Sequence, residues 1–233
     1  MTRTLILAAI LSSATIATPA AAQVAGIATL SPVLAIGSSK ALAGANQTIL
    51  TQYKTTLDQI DAQYAAQQPL LIQLDKNKDN QIDEAEQKAA RTAKGPAYTK
   101  LEAINKELQR LNTPITVARL FALESILQRY QAAQTKVITD RKVSMVLSPS
   151  TFIYAAPAVD ITALVTAELD RTVPSVGIVA PANWRPSSQT VQVAEQLEQL
   201  GQVAAARAAA AQSAPTTAAP RPATAPATKP QGR

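Results

Sequence analysis

The sequence predicts a mainly α protein with a small β body, an α+β chain in which a long helical-hairpin arm stands on a small β-sheet base. Three observations predict it. Aromatic residues make up only 3% of the 233-residue chain and much of its 47% hydrophobic content is alanine, so few large groups are available for a compact globule and an elongated, helix-rich shape is favoured. Two long stretches space their apolar residues alternately by three and four, the signature of a helix with one apolar stripe. Short segments rich in β-formers flank those stretches on both sides.

The first element is an address. Arg3 precedes an apolar run over 5–16, and Pro19 leads into Ala20, Ala21 and Ala22 before Gln23. This pattern reads as a cleavable signal peptide over 1–22, which places the mature chain outside the cytoplasm. Residues 24–30 can make a short strand, and 23–38 form the first part of the predicted body.

The arm is predicted over 39–139. Its first stripe is Leu50, Tyr53, Leu57, Ile60, Tyr64, Gln67, Leu71 and Leu74. Pro69 interrupts the ladder, and the first helix, from about residue 41 to 68, is predicted to end or kink there. A second stripe runs Leu120, Leu123, Leu127, Tyr130, Gln134 and Val137, with Thr113 and Pro114 read as N-cap and first residue of its helix. Stripe packs on stripe in a hairpin, with the middle of the chain at its tip. Gly95 and Pro96 read as a turn between helices.

After the arm, 142–147 alternates so that Val143, Met145 and Leu147 share one face of a strand. Ser148, Pro149 and Ser150 read as a turn, 151–154 as a second strand, and Asp160 as the N-cap of a short helix through Leu169. Residues 140–180 thus complete the body. An extension over 181–203 carries Trp184, read as packing on an edge of the body or, less commonly for such a residue, marking a partner contact, and a short amphipathic helix over 189–200. From 204 to 233 the chain is rich in Ala, Pro and Thr and reads as a flexible tail, with too few large apolar groups to offset the entropy of ordering.

Composition narrows the chemistry. The chain has no cysteine and no histidine, which excludes thiol nucleophiles, thiolate metal sites, histidine-dependent triads and zinc-hydrolase sites. No Gly-rich phosphate loop is present, so no nucleotide hydrolysis is expected. No catalytic residue is assigned and no cofactor is required. Of 22 basic residues, Arg3 and the tail's Arg207, Arg221, Lys229 and Arg233 lie at the ends, leaving 17 against 16 acidic ones. No global basic field points to nucleic acid.

One motif carries metal chemistry. Asp75, Asn77, Asp79, Gln81, Asp83 and Glu86 occupy positions one, three, five, seven, nine and twelve of a twelve-residue calcium loop of the EF-hand type. Side-chain oxygens come from one, three, five and nine, the backbone carbonyl from seven, and a bidentate carboxylate from twelve. Asn80 stands where such loops carry glycine, and asparagine tolerates the positive φ that the position demands. A structural Ca2+ of weak affinity is the expectation. Next to it Lys88, Arg91, Lys94, Lys100, Lys106 and Arg110 outnumber Glu102 and Glu107. These cations at the arm tip are candidates for steering an acidic client or touching anionic lipid.

The order strand, helical hairpin, strand, turn and helix, and above all Val143 to Pro149, Phe152 to Pro157 and Asp160-Ile161-Thr162, resembles the Skp (OmpH-like) family of periplasmic chaperones. The resemblance spans about residues 24–172. It implies a homotrimer in the periplasm whose arms enclose unfolded outer-membrane proteins without ATP. Two other readings stay open: a calcium-dependent structural or adaptor protein of the cell envelope, and an enzyme of envelope glycans built on loop carboxylates. The last is the weakest, because a glycosidase needs two carboxylates facing each other across a cleft.

Overall fold

The computed structural model describes residues 26–213. The signal-peptide reading (1–22) and the part of the tail beyond 213 lie outside these residues. The chain opens with β1 (Ile27–Thr29), then α1 (Pro32–Gly37), α2 (Lys40–Gln52), α3 (Lys54–Leu74), α4 (Glu84–Ala93) and the 45-residue α5 (Pro96–Asp140). β2 (Met145–Leu147), α6 (Thr162–Thr172) and α7 (Ser188–Ser213) complete it. At 1.5 Å per residue α5 is about 67 Å long. Among the described residues no helix is long and apolar enough to cross a membrane.

The sheet pairs β1 with β2 in parallel, Ile27 opposite Met145 and Thr29 opposite Leu147. A parallel pair needs a long crossover, and here the whole arm is that crossover. Gly26 opens the pairing at φ 83°, and its carbonyl accepts from the N–H groups of both Ser144 and Met145 at 2.7 Å. A Cβ there would stand 2.7 Å from Ser144 Oγ, so glycine is required for space as well as for conformation. Two serines then turn the chain into the arm. Ser31 caps α1, with Pro32 as its first residue, and the fully buried Ser39 caps α2 through the Leu42 N–H. Asp170 of α6 adds a carboxylate at the start of α2, accepting from the Lys40 N–H at 2.7 Å.

The core has two parts stacked along α5. In the lower one Leu123, Ile126, Tyr130 and Val137 meet Ala28 of β1, Leu30 just after it, Ile36 of α1, and Val165 and Leu169 of α6. In the upper one Leu108, Leu111 and Ile115 meet Ile49 and Ile60 of the opposing helices.

Several sequence expectations are corrected here. The first arm helix is broken at Tyr53 (φ −100°, ψ 17°) rather than at Pro69, which lies inside α3. Helix α3 is held to α5 by buried residues on both sides of the proline, Ile60 before it and Leu70 after it. That packing offsets the ~3 kcal/mol an interior proline costs. Pro114 likewise starts no helix; α5 runs through it. Thr113 turns its hydroxyl back to the Gln109 carbonyl at 2.7 Å instead of forward as a cap, and Asn112 does the same to Leu108 at 2.9 Å. The predicted strand at 151–154 is absent. Pro149 and Pro157 bracket the segment and open two single 3-10 turns, Pro149–Thr151 and Pro157–Val159. β1 is instead bridged at Thr29 by Asp160. Asp160 caps from one residue further out than predicted, its Oδ1 accepting from the Thr162 N–H at 2.8 Å.

The C-terminal part is also more ordered than predicted. Past α6, Val173 joins the lower core and Ile178 the upper one. The chain then comes back to α5, where Trp184 packs edge-on against Phe121 with ring centroids 5.4 Å apart. Glu124 accepts from the Ser187 N–H (2.9 Å) and the Thr190 hydroxyl (3.0 Å), and so fixes the start of α7. Thr190, Val193, Ala194 and Leu197 face the body; a Cβ on Gly37 would meet Leu197 at 2.8 Å. Helix α7 continues to Ser213, so residues 204–213 of the predicted tail are helical. Alanine is the best helix former and the segment 203–211 is almost all alanine.

Candidate functional site

The far end of the arm gathers the residues the sequence singled out. Helix α3 ends at Leu74, the loop 75–83 follows, and α4 turns back before Lys94, in the left-handed region at φ 46°, and Gly95 redirect the chain into α5. Pro96 is the first residue of α5, so the turn between helices is one of αL cap and helix-starting proline.

The loop is shaped by its own side chains. Asp75 accepts from the Lys78 N–H (2.6 Å) and, with its other oxygen, from the Asn80 N–H (2.9 Å). Lys78 and Asn80 sit at φ 61° and 65°. Asn77 accepts from the Asp79 N–H, and Asp79 from the Gln81 N–H. Asp83 and Glu86 form a capping box on α4. Glu86 is buried and also reaches across the loop, its Oε1 accepting from the Lys76 (2.6 Å) and Asn77 (3.1 Å) N–H groups. The loop thus brings Asp75, Asn77, Asp79, Asp83 and Glu86 into one hydrogen-bonded turn. Its carboxylates accept from backbone N–H groups of the loop, and Asp79 also from the Asn77 side-chain amide at 3.0 Å. Among the described residues no three acidic side chains are grouped closely enough to hold a metal ion.

Beside the loop lies a groove of about 550 Å3 between α3, α4 and α5. Leu71 and Leu74 come from α3, Ile82 from the loop, Ala90 from α4, and Tyr98 and Leu101 from α5; all six are half-buried. Gln67 closes one end through a 3.1 Å bond to Asn105. Arg91, Lys106 and Glu102 stand on the rim. Of the six candidate cations, Arg91 and Lys106 therefore reach the groove, while Lys88, Lys94 and Lys100 are exposed around it. Arg110 is committed elsewhere: its guanidinium is bidentate to Glu107 and holds that carboxyl below the usual range.

Sequence reasoning missed the groove. Tyr98, Leu101 and Leu108 follow a three- and seven-residue spacing that announces a stripe, but the proline at 114 made the helix start too late to include them. The body exposes further apolar side chains. Ile27 and Met145, opposite each other in the sheet, are exposed, and so are Ile153 and Tyr154 (81%) in the loop that follows.

A helical-hairpin arm rooted in a two-strand parallel sheet, with an open, partly apolar tip, defines a class of arm-on-base proteins. The family described as outer membrane protein (OmpH-like) matches residues 26–169, more than half of the chain, and the protein belongs to that family. The match covers the body and the whole arm and stops within α6. A solved OmpH-like chain from Caulobacter crescentus CB15, described as an outer membrane chaperone, is 22% identical over 70% of this chain and 95% of that one, with a TM-score of 0.43. No curated protein matches. Membership of the OmpH-like family supports a chaperone role in the periplasm.

Proposed function

We propose that the protein is an ATP-independent holdase that binds unfolded outer-membrane proteins and keeps them from aggregating. The observation that carries this reading is the arm itself: a helical hairpin whose apolar stripe is only partly covered, ending in an open tip. Leu50, Tyr64 and Ile72 (70% exposed) lie bare along it. A holdase must shield apolar strands without fixing them, which calls for a broad, weakly apolar surface rather than a deep pocket. The exposed Ile27, Met145, Ile153 and Tyr154 of the body supply an apolar face on which copies of the chain can join, and a homotrimer would set three arms around one client. Cations at the tip would meet acidic clients or anionic lipid.

The test is the light-scattering mass of the mature chain, together with its capacity to keep a urea-diluted barrel protein soluble. A trimer that suppresses aggregation supports the reading. A monomer beside which the client aggregates at its unassisted rate overturns it.

The loop favours a second, additional property, weak calcium binding in the roughly 0.1–1 mM range of extracellular sites. Positive φ at Lys78 and Asn80, and Asp75 bonded to both their N–H groups, give the backbone course that such a loop needs. Loading would draw Glu86 away from the Lys76 and Asn77 N–H groups. Calorimetry with Ca2+ should give a heat that Asp75→Ala abolishes; an identical titration for both chains would remove calcium from the account.

A further inference from the structure

The groove between α3, α4 and α5 is an unfinished core. On the same helices Leu70 and Leu108 are buried, whereas Leu71, Leu74, Ile82, Tyr98 and Leu101, which line the groove, are left half-exposed. Helix α4, at ten residues, is too short to cover them. Apolar surface left open in this way favours an occupant that brings its own apolar groups.

The shape and charge of the groove define that occupant. Its floor follows α5 from Tyr98 to Gln109, which at 1.5 Å per residue is about 16 Å. That is the length of about five residues of extended chain. The groove is open along this length, which suits a passing polypeptide better than an enclosed small molecule. On the rim stand Arg91 from α4 and, one turn apart on α5, Glu102 and Lys106, while the adjoining loop over 75–86 carries five acidic residues against two basic ones. With Arg110 paired to Glu107, the charge of the groove's own lining is that of Arg91 and Lys106 against Glu102, and is net positive.

We propose that the arm-tip groove is a docking site for a short extended stretch of unfolded polypeptide, whose apolar side chains enter over Leu74, Ile82, Tyr98 and Leu101 while its acidic side chains meet Arg91 and Lys106. The inference rests on the holdase reading and locates a contact within it. Membrane β-strands alternate apolar and polar side chains, so an unfolded one presents this pattern: every second residue faces the floor and those between reach the rim.

Two labelled peptides of about ten residues, one alternating leucine with aspartate and the other leucine with lysine, are titrated with the full chain by fluorescence anisotropy. The aspartate peptide should bind at least ~5-fold tighter, and the difference should shrink as salt rises and screens the rim. Ala90→Trp, which puts an indole into the groove, should weaken that binding about 10-fold, a loss of ~1.4 kcal/mol. Ala89→Trp, on the exposed side of the same helix, should leave it unchanged and controls for folding. Arg91→Glu with Lys106→Glu should reverse the preference between the peptides, a readout that loss of structure cannot imitate. Equal binding of the two peptides, undiminished binding by Ala90→Trp, or a fall in the mass of the protein with Ala90→Trp, which would make a second copy the occupant, each overturns the proposal. If the wild-type chain keeps a barrel protein soluble while the groove variants bind peptide unchanged, the groove fails and the holdase stands. If the wild-type chain holds no client at all, the holdase reading fails with it.

Discussion

Two stretches of the same helix differ in what surrounds them. Between Ala118 and Val137, α5 buries Ala118, Ala122, Leu123, Ile126, Tyr130, Ala133 and Val137 against β1, α1, α2, α6 and the chain that follows α6. Between Tyr98 and Leu108 it has α3 for its main neighbour with α4 alongside, and most of its stripe stays half-exposed. The root is a closed core and the tip an open one. Closure costs a surface its availability for partners, so one helix serves as rigid support at one end and as contact surface at the other.

The residues beyond the family match strengthen this asymmetry. Val173 and Ile178 sit in the cores, Trp184 on Phe121, and Glu124 holds the first turn of α7. This C-terminal strap adds burial to both cores and contributes no residue to the lining of the tip groove.

The contrast is broken most directly at Ile126, which is 0% exposed. Ile126→Ala removes buried atoms from a site closed on all sides, and should lower the unfolding free energy by about 3 kcal/mol in urea titration. The same kind of truncation at the tip, Leu101→Ala, should cost well under half of that, because Leu101 is already in contact with water. Equal losses at both positions would refute the division into closed root and open tip.

A smaller effect is expected from Glu124→Ala. It removes the carboxylate that accepts from the exposed Ser187 N–H and from the Thr190 hydroxyl, which keeps Ser187 Oγ at 2.9 Å as its other partner, a loss of about 1 kcal/mol. Hydrogen exchange should accelerate over 188–197 and stay unchanged in α3 and α4. Acceleration spread evenly along the arm would show that the strap steadies more than the root.

The difference between root and tip also explains what could be read from the sequence. The arm, the strand on either side of it and the helix after Asp160 follow from periodicity and capping residues, because those signals act within a few residues of chain. The core along α5 was harder to read. The predicted stripe names Leu123, Tyr130 and Val137 correctly but passes over Ala118, Ala122, Ile126 and Ala133, all buried. Alanine supplies little of the apolar bulk from which a core is read in a sequence, yet a small side chain is what lets two helices approach closely. The prolines misled for a related reason: Pro69 and Pro114 act locally against a helix, and only the packing of Ile60, Leu70, Leu111 and Ile115 across the hairpin overrides them. At the site, the loop and the cations were legible as strings of residue types. The groove was not, since its walls come from three helices and a loop spanning residues 67–109.

The smallest effect expected sharpens the comparison from inside the root. Tyr130 is buried, its hydroxyl has no hydrogen-bond partner among the described residues, and burial pushes its pKa up to about 12. An unfolded chain would ionise this tyrosine near its ordinary value of 10.0, while the folded chain holds it neutral. Stability is therefore independent of this group's ionisation below pH 10 and falls as the pH rises toward 12, because the unfolded state gives up the proton first. Tyr130→Phe deletes an unsatisfied polar group and keeps the ring. It should therefore raise stability at pH 7 by less than ~1 kcal/mol and flatten the fall between pH 10 and 12. Urea titrations of both chains across that range decide the matter. If the two curves remain parallel, water reaches the hydroxyl, and the root is not the closed core that sets it apart from the tip.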